Sequence, residues 1–274
     1  MTTSIQLNSG FSIPQIGVGT SKSVSPAESV RTALHAGYGH VDTAQMYDNE
    51  TEVGEGVRSA DVPREDVFVT TKLNNDFHSP AEVHRTFGES LDRLGLEYVD
   101  LFLIHWPMPF LDVDYVDTWK VMIELKDSGR AKSIGVSNFQ AEHLDRIVES
   151  TGVIPSVNQI EVHPYFANEE VRAHSASLGT VVEAWSPLGK GDEFSEPVIT
   201  EIAARHERSP AQVILRWHLQ RGDVAIPKSD HEPRLRENLA VFDFELSGED
   251  VAAISALDKG EAGRRSPHPS EFGK

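Results

Sequence analysis

Apolar residues in this chain cluster in short runs, and each run is followed by a longer stretch with helical spacing. The runs are Gln15 to Gly19, His40 to Asp42, Val67 to Lys72, Val99 to His105, Ser133 to Ser137, Ser156 to Glu161, Thr180 to Trp185 and Val224 to Pro227. Several are continuously apolar instead of alternating, the mark of parallel strands covered on both faces. They predict eight strands separated by amphipathic helices. Three helix starts are written in full: Ser25-Pro26-Ala27-Glu28, Ser79-Pro80-Ala81-Glu82 and Ser209-Pro210-Ala211-Gln212. Each places a capping Ser before Pro, with Glu or Gln three positions on. A β-hairpin is predicted ahead of all this, Ile5-Gln6-Leu7 and Phe11-Ser12-Ile13 around the turn Asn8-Ser9-Gly10, ended by Pro14.

Eight β/α units in 274 residues suit a closed α/β fold, a (β/α)8 TIM barrel, with the N-terminal β-hairpin at one end and the C-terminal tail at the mouth of the site. An open dinucleotide-binding sheet would carry a third glycine after Gly17-Val18-Gly19, and none follows. Gly17 and Gly19 read either as a tight turn or as small residues that admit a ligand to the backbone after the first strand. No Pro-, Gly- or Ser-rich linker interrupts the alternation, so one domain over 1–274 is expected.

Composition removes function classes more than it adds them. A 39% hydrophobic and 25% charged chain has the balance of an ordinary globular protein. Its formal charge of -18 opposes nucleic acid and anionic membrane surfaces as partners. With no cysteine there is no disulfide, thiolate metal site or thiol nucleophile, so redox chemistry would need a cofactor. Met1 to Gly10 has neither a basic start nor an apolar signal core, and no run approaches the ~20 apolar residues of a membrane span. A cytoplasmic monomer is expected.

The apolar runs end in groups that can do chemistry: Asp42, Lys72, His105, Ser137 with Asn138, Gln159 with Glu161, Trp185, and Lys228 just beyond Pro227. In a barrel these strand ends converge on the face where active sites form. Any one of them alone fits a polar exit from the core, and the set as a whole fits a site. Tyr47 follows Asp42 by five residues and can fold back over the same mouth. An ammonium on Lys72 would favour its phenolate and lower a pKa that is ordinarily about 10. Asp42 could hold Lys72 charged, and His105 could bind a substrate carbonyl beside the proton donor. Together these four make a carbonyl-reducing set; separately they read as an ion pair, a core histidine and a packed aromatic.

Three ordered segments make the chain similar to the aldo-keto reductase superfamily, most of all its 2,5-diketo-gluconate reductase branch. The first is Gly37-Tyr38-Gly39-His40-Val41-Asp42-Thr43-Ala44 through Tyr47, Asn49, Glu50 and Gly54. The second is Leu94-Gly95 through Val99-Asp100-Leu101 and His105-Trp106-Pro107, and the third Ile226-Pro227-Lys228-Ser229 through Glu237-Asn238. The resemblance implies NADPH or NADP+ as cofactor, with NADH a weaker substitute, a small carbonyl compound as substrate, no metal, and Asp42, Tyr47, Lys72 and His105 as the catalytic tetrad. It implies that Ser137, Asn138 and Gln159 hold the nicotinamide carboxamide against Trp185. Ser186, Pro187, Leu188, Gly189 and Lys190 would border the pyrophosphate. Lys228, Ser229 and Arg234 would meet the 2′-phosphate near a helix starting at Pro233, where backbone amides add to the charge, with Glu237 and Asn238 beside adenine and Gly19 and Thr20 also against the cofactor.

Ser21, Asn74, Asn75 and Trp106, with the tail from Arg264 through His268, Pro269 and Phe272, would complete the substrate pocket. The chain departs from the family pattern at Gly39 for Arg, Ser21 for an aromatic, Asn74 for Trp, and Trp185 for the commoner Tyr, so the pocket is expected to be wider and more polar. Two other readings are a metal-dependent hydrolase drawing on some of the 12 histidines, and an NADPH-binding sensor without turnover. The first lacks any His-x-His or His-Glu-x-x-His spacing, and the second leaves the tetrad unused.

Overall fold

All eight predicted runs become strands, with ends that shift by a few residues. The computed structural model describes residues 3–273; Met1, Thr2 and Lys274 lie outside the described residues, and with them the ends of the expected 1–274 domain and the start of the Met1 to Gly10 stretch. The strands are β1 (Ser4–Gln6), β2 (Ser12–Pro14), β3 (Val18–Gly19), β4 (His40–Asp42), β5 (Phe68–Leu73), β6 (Val99–Ile104), β7 (Ala131–Ser137), β8 (Val157–Glu161), β9 (Val181–Trp185) and β10 (Val224–Ala225). The α-helices are α1 (Pro26–Ala36), α2 (Glu50–Arg58), α3 (Pro80–Leu94), α4 (Tyr115–Asp127), α5 (Ala141–Thr151), α6 (Glu169–Leu178), α7 (Pro197–His206), α8 (Pro210–Gln220), α9 (Glu232–Leu239) and α10 (Gly248–Ser255).

Strands β3 to β10 form one parallel sheet in chain order. A parallel bridge between Ile16 and Ala225 joins its two edges and closes the (β/α)8 barrel. The first and last strands are shorter than their apolar runs. Gly17 has no room to carry a side chain, because an added Cβ would sit 2.5 Å from Nδ1 of the inward-facing His40. Pro227 lacks the N–H that would extend β10. Instead Gly17 donates to the Ala225 carbonyl and Gly19 to that of Pro227, at 2.9 and 3.2 Å.

The predicted hairpin is present as the antiparallel pair β1 and β2, with Pro14 as its last paired residue opposite Ser4. Its Leu7 and Ile13 pack against Phe68, Leu101, Leu103, Val157 and Val224, which seals one end of the barrel and leaves the C-terminal strand ends for chemistry. Helices begin at the three Ser-Pro positions as the sequence predicts. The reciprocal capping bonds form only at Ser209 and Gln212; Ser25 and Ser79 precede their helices without a side-chain cap. Helix α9 starts one residue earlier than expected, with Pro233 in second position behind Glu232.

Candidate active site

The C-terminal ends of the strands surround a cavity of about 1130 Å³. It exceeds the ~300–1,000 Å³ of common small-molecule pockets and has room for an extended ligand together with a second molecule.

At its base, β4 and β5 place Asp42 and Lys72 on the same inward side. Lys72 Nζ donates to Asp42 Oδ1 at 2.6 Å and to the Thr43 carbonyl at 2.8 Å, and its side chain is wholly buried. The short helix Gln45–Tyr47 returns the chain over the mouth, bringing the Tyr47 hydroxyl to 3.5 Å from Lys72 Nζ. His105 meets Tyr47 edge to face at 5.7 Å between ring centres. All four groups therefore converge.

Electrostatics there differ in one respect from the sequence expectation. Burial pushes the Tyr47 phenol above its ordinary value, and the Lys72 charge, which acts to lower it, does not overcome that. Burial would also drive Lys72 toward the neutral amine, but Asp42, with Tyr47 beyond, reverses the effect and raises its pKa. Lys72 stays an ammonium. Burial and the Lys72 charge hold His105 well below its usual range, so its imidazole is neutral.

Around this base, Asn138 adopts a left-handed backbone (φ 61°), and its amide makes three hydrogen bonds, one of them from Nδ2 to Ser137 Oγ at 3.0 Å. Nδ2 donates to the His105 carbonyl at 3.0 Å, and Oδ1 accepts from Trp185 Nε1 at 2.9 Å, which fixes the indole as a wall of the cavity. Ser137 Oγ donates to the Gln159 carbonyl at 2.8 Å. Ser186, Pro187, Leu188 and Lys190 line the next stretch; Gly189 lies behind it, where a Cβ would collide with the Glu193 carboxylate. Lys228, Ser229, Arg234, Glu237 and Asn238 form the far end. Lys228 is ion-paired with Asp230. Among the described residues no side-chain hydrogen bond or ion pair engages Arg234, which lies in α9.

Gly19, Ser21 and Trp106 also line the cavity, whereas Thr20 is buried behind Gly19 and donates to the Asp42 carbonyl at 2.9 Å. Asn74 is displaced from the expected position. It borders a second cavity, of about 350 Å³, with Gln45, Glu50 and Arg93, because its backbone N–H is drawn to Gln45 Oε1 at 2.8 Å. Asn75 is buried beside it and does not line the main cavity.

The tail does reach the mouth. Phe272 stacks on Trp106 with ring centres 4.2 Å apart, and Arg265 and Ser266 line the cavity. Glu161 at the end of β8 anchors this segment, accepting from the backbone N–H of Arg265 (2.8 Å) and of Ser266 (3.1 Å) and from the Ser266 hydroxyl (2.6 Å). Burial alone would raise this carboxyl; hydrogen bonds from His163, Ser266 and those amides leave it below its ordinary range. His163 is thus engaged by Glu161 and Glu193, and among the described residues no group of three or more His, Cys, Asp and Glu is arranged to hold a metal.

Sequence reading passed over Glu183. It lies two residues before Trp185 on β9, hence on the same inward face, and that period-two spacing was the available signal. Burial, then the neighbouring Asp42 charge, pushes its pKa up to about 8. The folded chain therefore holds this proton to higher pH than the unfolded one, and Glu183's contribution to stability falls as pH rises from the carboxylate range through about 8. Glu183→Gln, which stays neutral, is expected to lose less Tm than the wild type between about pH 5 and about pH 8. Equal losses in a paired melting series would refute the shift.

The family model for the aldo/keto reductase family matches residues 15–192 and 195–259. This chain belongs to the aldo/keto reductase family. An aldo-keto reductase of Mycolicibacterium smegmatis is 49% identical, over 99% of this chain and 98% of that protein. Methylglyoxal reductase DkgA of Salmonella typhimurium is 44% identical, over 99% and 98%. The crystal structure of a Bombyx mori aldo-keto reductase in complex with NADP aligns with a TM-score of 0.91 at 40% identity, covering 97% of this chain and 94% of that one. Family membership agrees with the barrel, its hairpin and the order of the three sequence segments.

Proposed function

We propose that this chain is an NADPH-dependent oxidoreductase that reduces a small aldehyde, ketone or dicarbonyl, keto-sugars included, to the alcohol, with Tyr47 as general acid. The observation that carries the reading is the buried line Asp42, Lys72, Tyr47 at the base of a cavity whose volume of about 1130 Å³ has room for a dinucleotide. The cavity fits that cofactor in kind. Its deep end offers amides on Asn138 and Gln159 and an indole wall, and its far end brings Lys228 and Arg234 together in a strongly acidic protein.

In this reading Ser137, Asn138, Gln159 and Trp185 hold the nicotinamide end. Gly19 and the stretch Ser186 to Lys190 border the middle, backed by Thr20 and Gly189. Lys228, Ser229 and Arg234 take the 2′-phosphate, and Glu237 and Asn238 flank the adenine. When bound, the cofactor supplies a hydride. Tyr47 delivers the proton from its hydroxyl to the carbonyl oxygen, and the ammonium of Lys72 stabilises the phenolate left behind. Asp42 keeps Lys72 charged and aimed. The neutral His105 has its Nδ1 buried without a partner. An unpaired lone pair there costs less than an unpaired N–H, so Nε2 carries the hydrogen and can donate it to the substrate oxygen.

Ser21, Trp106 and the anchored tail shape the substrate end, with the backbone N–H of Asn74 holding Gln45 of the Gln45–Tyr47 turn. The activity of the methylglyoxal reductase relative makes small dicarbonyls the first substrates to test. Absorbance of NADPH is expected to fall with at least one member of a panel of dicarbonyls, aldehydes and keto-sugars. No oxidation with any of them would overturn the reading. Lys228→Gly combined with Arg234→His is expected to weaken NADPH binding about 10- to 100-fold and NADH far less. Equal losses would move the phosphate elsewhere. We further read the protein as a single-domain monomer of the cytoplasm, with no nucleic acid partner; light scattering that gave the mass of two chains would correct the oligomeric state.

A further inference from the structure

Gln159 is the point where the cavity meets a buried polar cluster of which the proposed chemistry uses only Asp42. Its Nε2 donates to two carboxyl groups at once, Asp42 Oδ2 and Glu183 Oε2, both at 2.8 Å. Both amide hydrogens are thereby spent. The two acceptors come from different directions, Glu183 from the adjacent strand in register with Gln159, and Asp42 from across the barrel. Rotating the amide by half a turn would set its oxygen against two carboxyl groups, so the pair fixes which way it points. Among the described residues no hydrogen bond reaches Gln159 Oε1, and the side chain lines the cavity.

We infer that Glu183 is a positioning residue: its carboxyl, with that of Asp42, locks the Gln159 amide so that Oε1 is offered to the amide N–H of a nicotinamide carboxamide. The inference rests on the cofactor reading above. Glu183 suits the task because it can sit fully buried as a neutral acid. Its Oε1 has no hydrogen-bond partner and lies 3.5 Å from His40 Nε2, which has Thr70 Oγ1 closer, at 3.2 Å. His40 itself is driven down to about 3 by burial and the Lys72 charge, so it is neutral and sets no positive charge beside Glu183. A neutral Glu183 leaves Asp42 as the counter-charge to Lys72 while still accepting from Gln159. A leucine at 183 would leave one Gln159 hydrogen unpaired in the core and free the amide to turn.

The test is calorimetric titration of wild type, Glu183→Leu and Glu183→Gln with NADPH and with adenosine 2′,5′-bisphosphate, which carries the phosphates and adenine but no nicotinamide. Glu183→Leu is expected to weaken NADPH about five- to tenfold and leave the bisphosphate unchanged, while Glu183→Gln, which keeps an acceptor, stays near wild type for both. Unchanged NADPH affinity in the leucine variant, equal weakening of both ligands, or a glutamine variant as weak as the leucine one would each overturn the inference. If leucine prevents folding, Glu183→Asp, which withdraws the carboxyl by one methylene, must show the same selective loss. Wild-type protein that binds neither ligand would overturn the cofactor reading and this inference with it, whereas a wild type that binds both leaves the variants to decide this inference alone.

Discussion

Tyr47→Phe is expected to lower kcat for carbonyl reduction by about 10²- to 10⁴-fold while NADPH affinity stays at the wild-type level. The substitution removes one oxygen, 3.5 Å from the Lys72 ammonium, and keeps the ring that packs edge to face on His105. Packing of the pocket is therefore preserved, and only the proton source is lost. His105 cannot take over, because burial and the Lys72 charge keep it neutral, and a neutral imidazole is a far poorer acid than an imidazolium. Steady-state NADPH oxidation, paired with cofactor titration, separates the two quantities. Near-normal turnover would remove Tyr47 as the proton donor.

Lys72→Met is expected to abolish activity and also to destabilise the fold by about 3–5 kcal/mol, a fall in Tm on the order of 10 °C. Its side chain is fully buried and that of Asp42 is 2% exposed, so losing the ammonium strands a carboxylate in the core. The double variant Lys72→Met with Asp42→Leu removes both charges. It is expected to regain much of the stability and none of the activity, since apolar replacement of a buried pair is often neutral. A Lys72→Met protein melting within about 2 °C of wild type would show that Asp42 finds another partner or a proton.

Much of this architecture was legible along the chain. Eight apolar runs with helical spacing between them specify a closed barrel, because parallel strands covered on both faces need few polar positions and a crossover each. The strand-end residues were equally visible, since Asp42, Lys72 and His105 interrupt apolar runs at their C-terminal ends. Asn74 lies off the main cavity because its backbone N–H is held by the Gln45 side chain, a contact across 29 positions that no local pattern encodes. Glu161 was seen as a strand end, but its hold on Arg265 and Ser266 links residues more than a hundred positions apart.

Order, periodicity and residue type by themselves determined the barrel, the face that carries chemistry and the four groups that gather there, because those features follow from how side chains alternate along a strand. Tertiary structure alone decided the protonation of those groups and the orientation of the amides among them. The phenol of Tyr47 is raised instead of lowered because enclosure by the cavity walls outweighs one neighbouring charge. Gln159 points its nitrogen at two carboxyls because the barrel closes with Asp42 and Glu183 on either side of it. Desolvation and distance act through space, and neither is written in the spacing of residues along the chain.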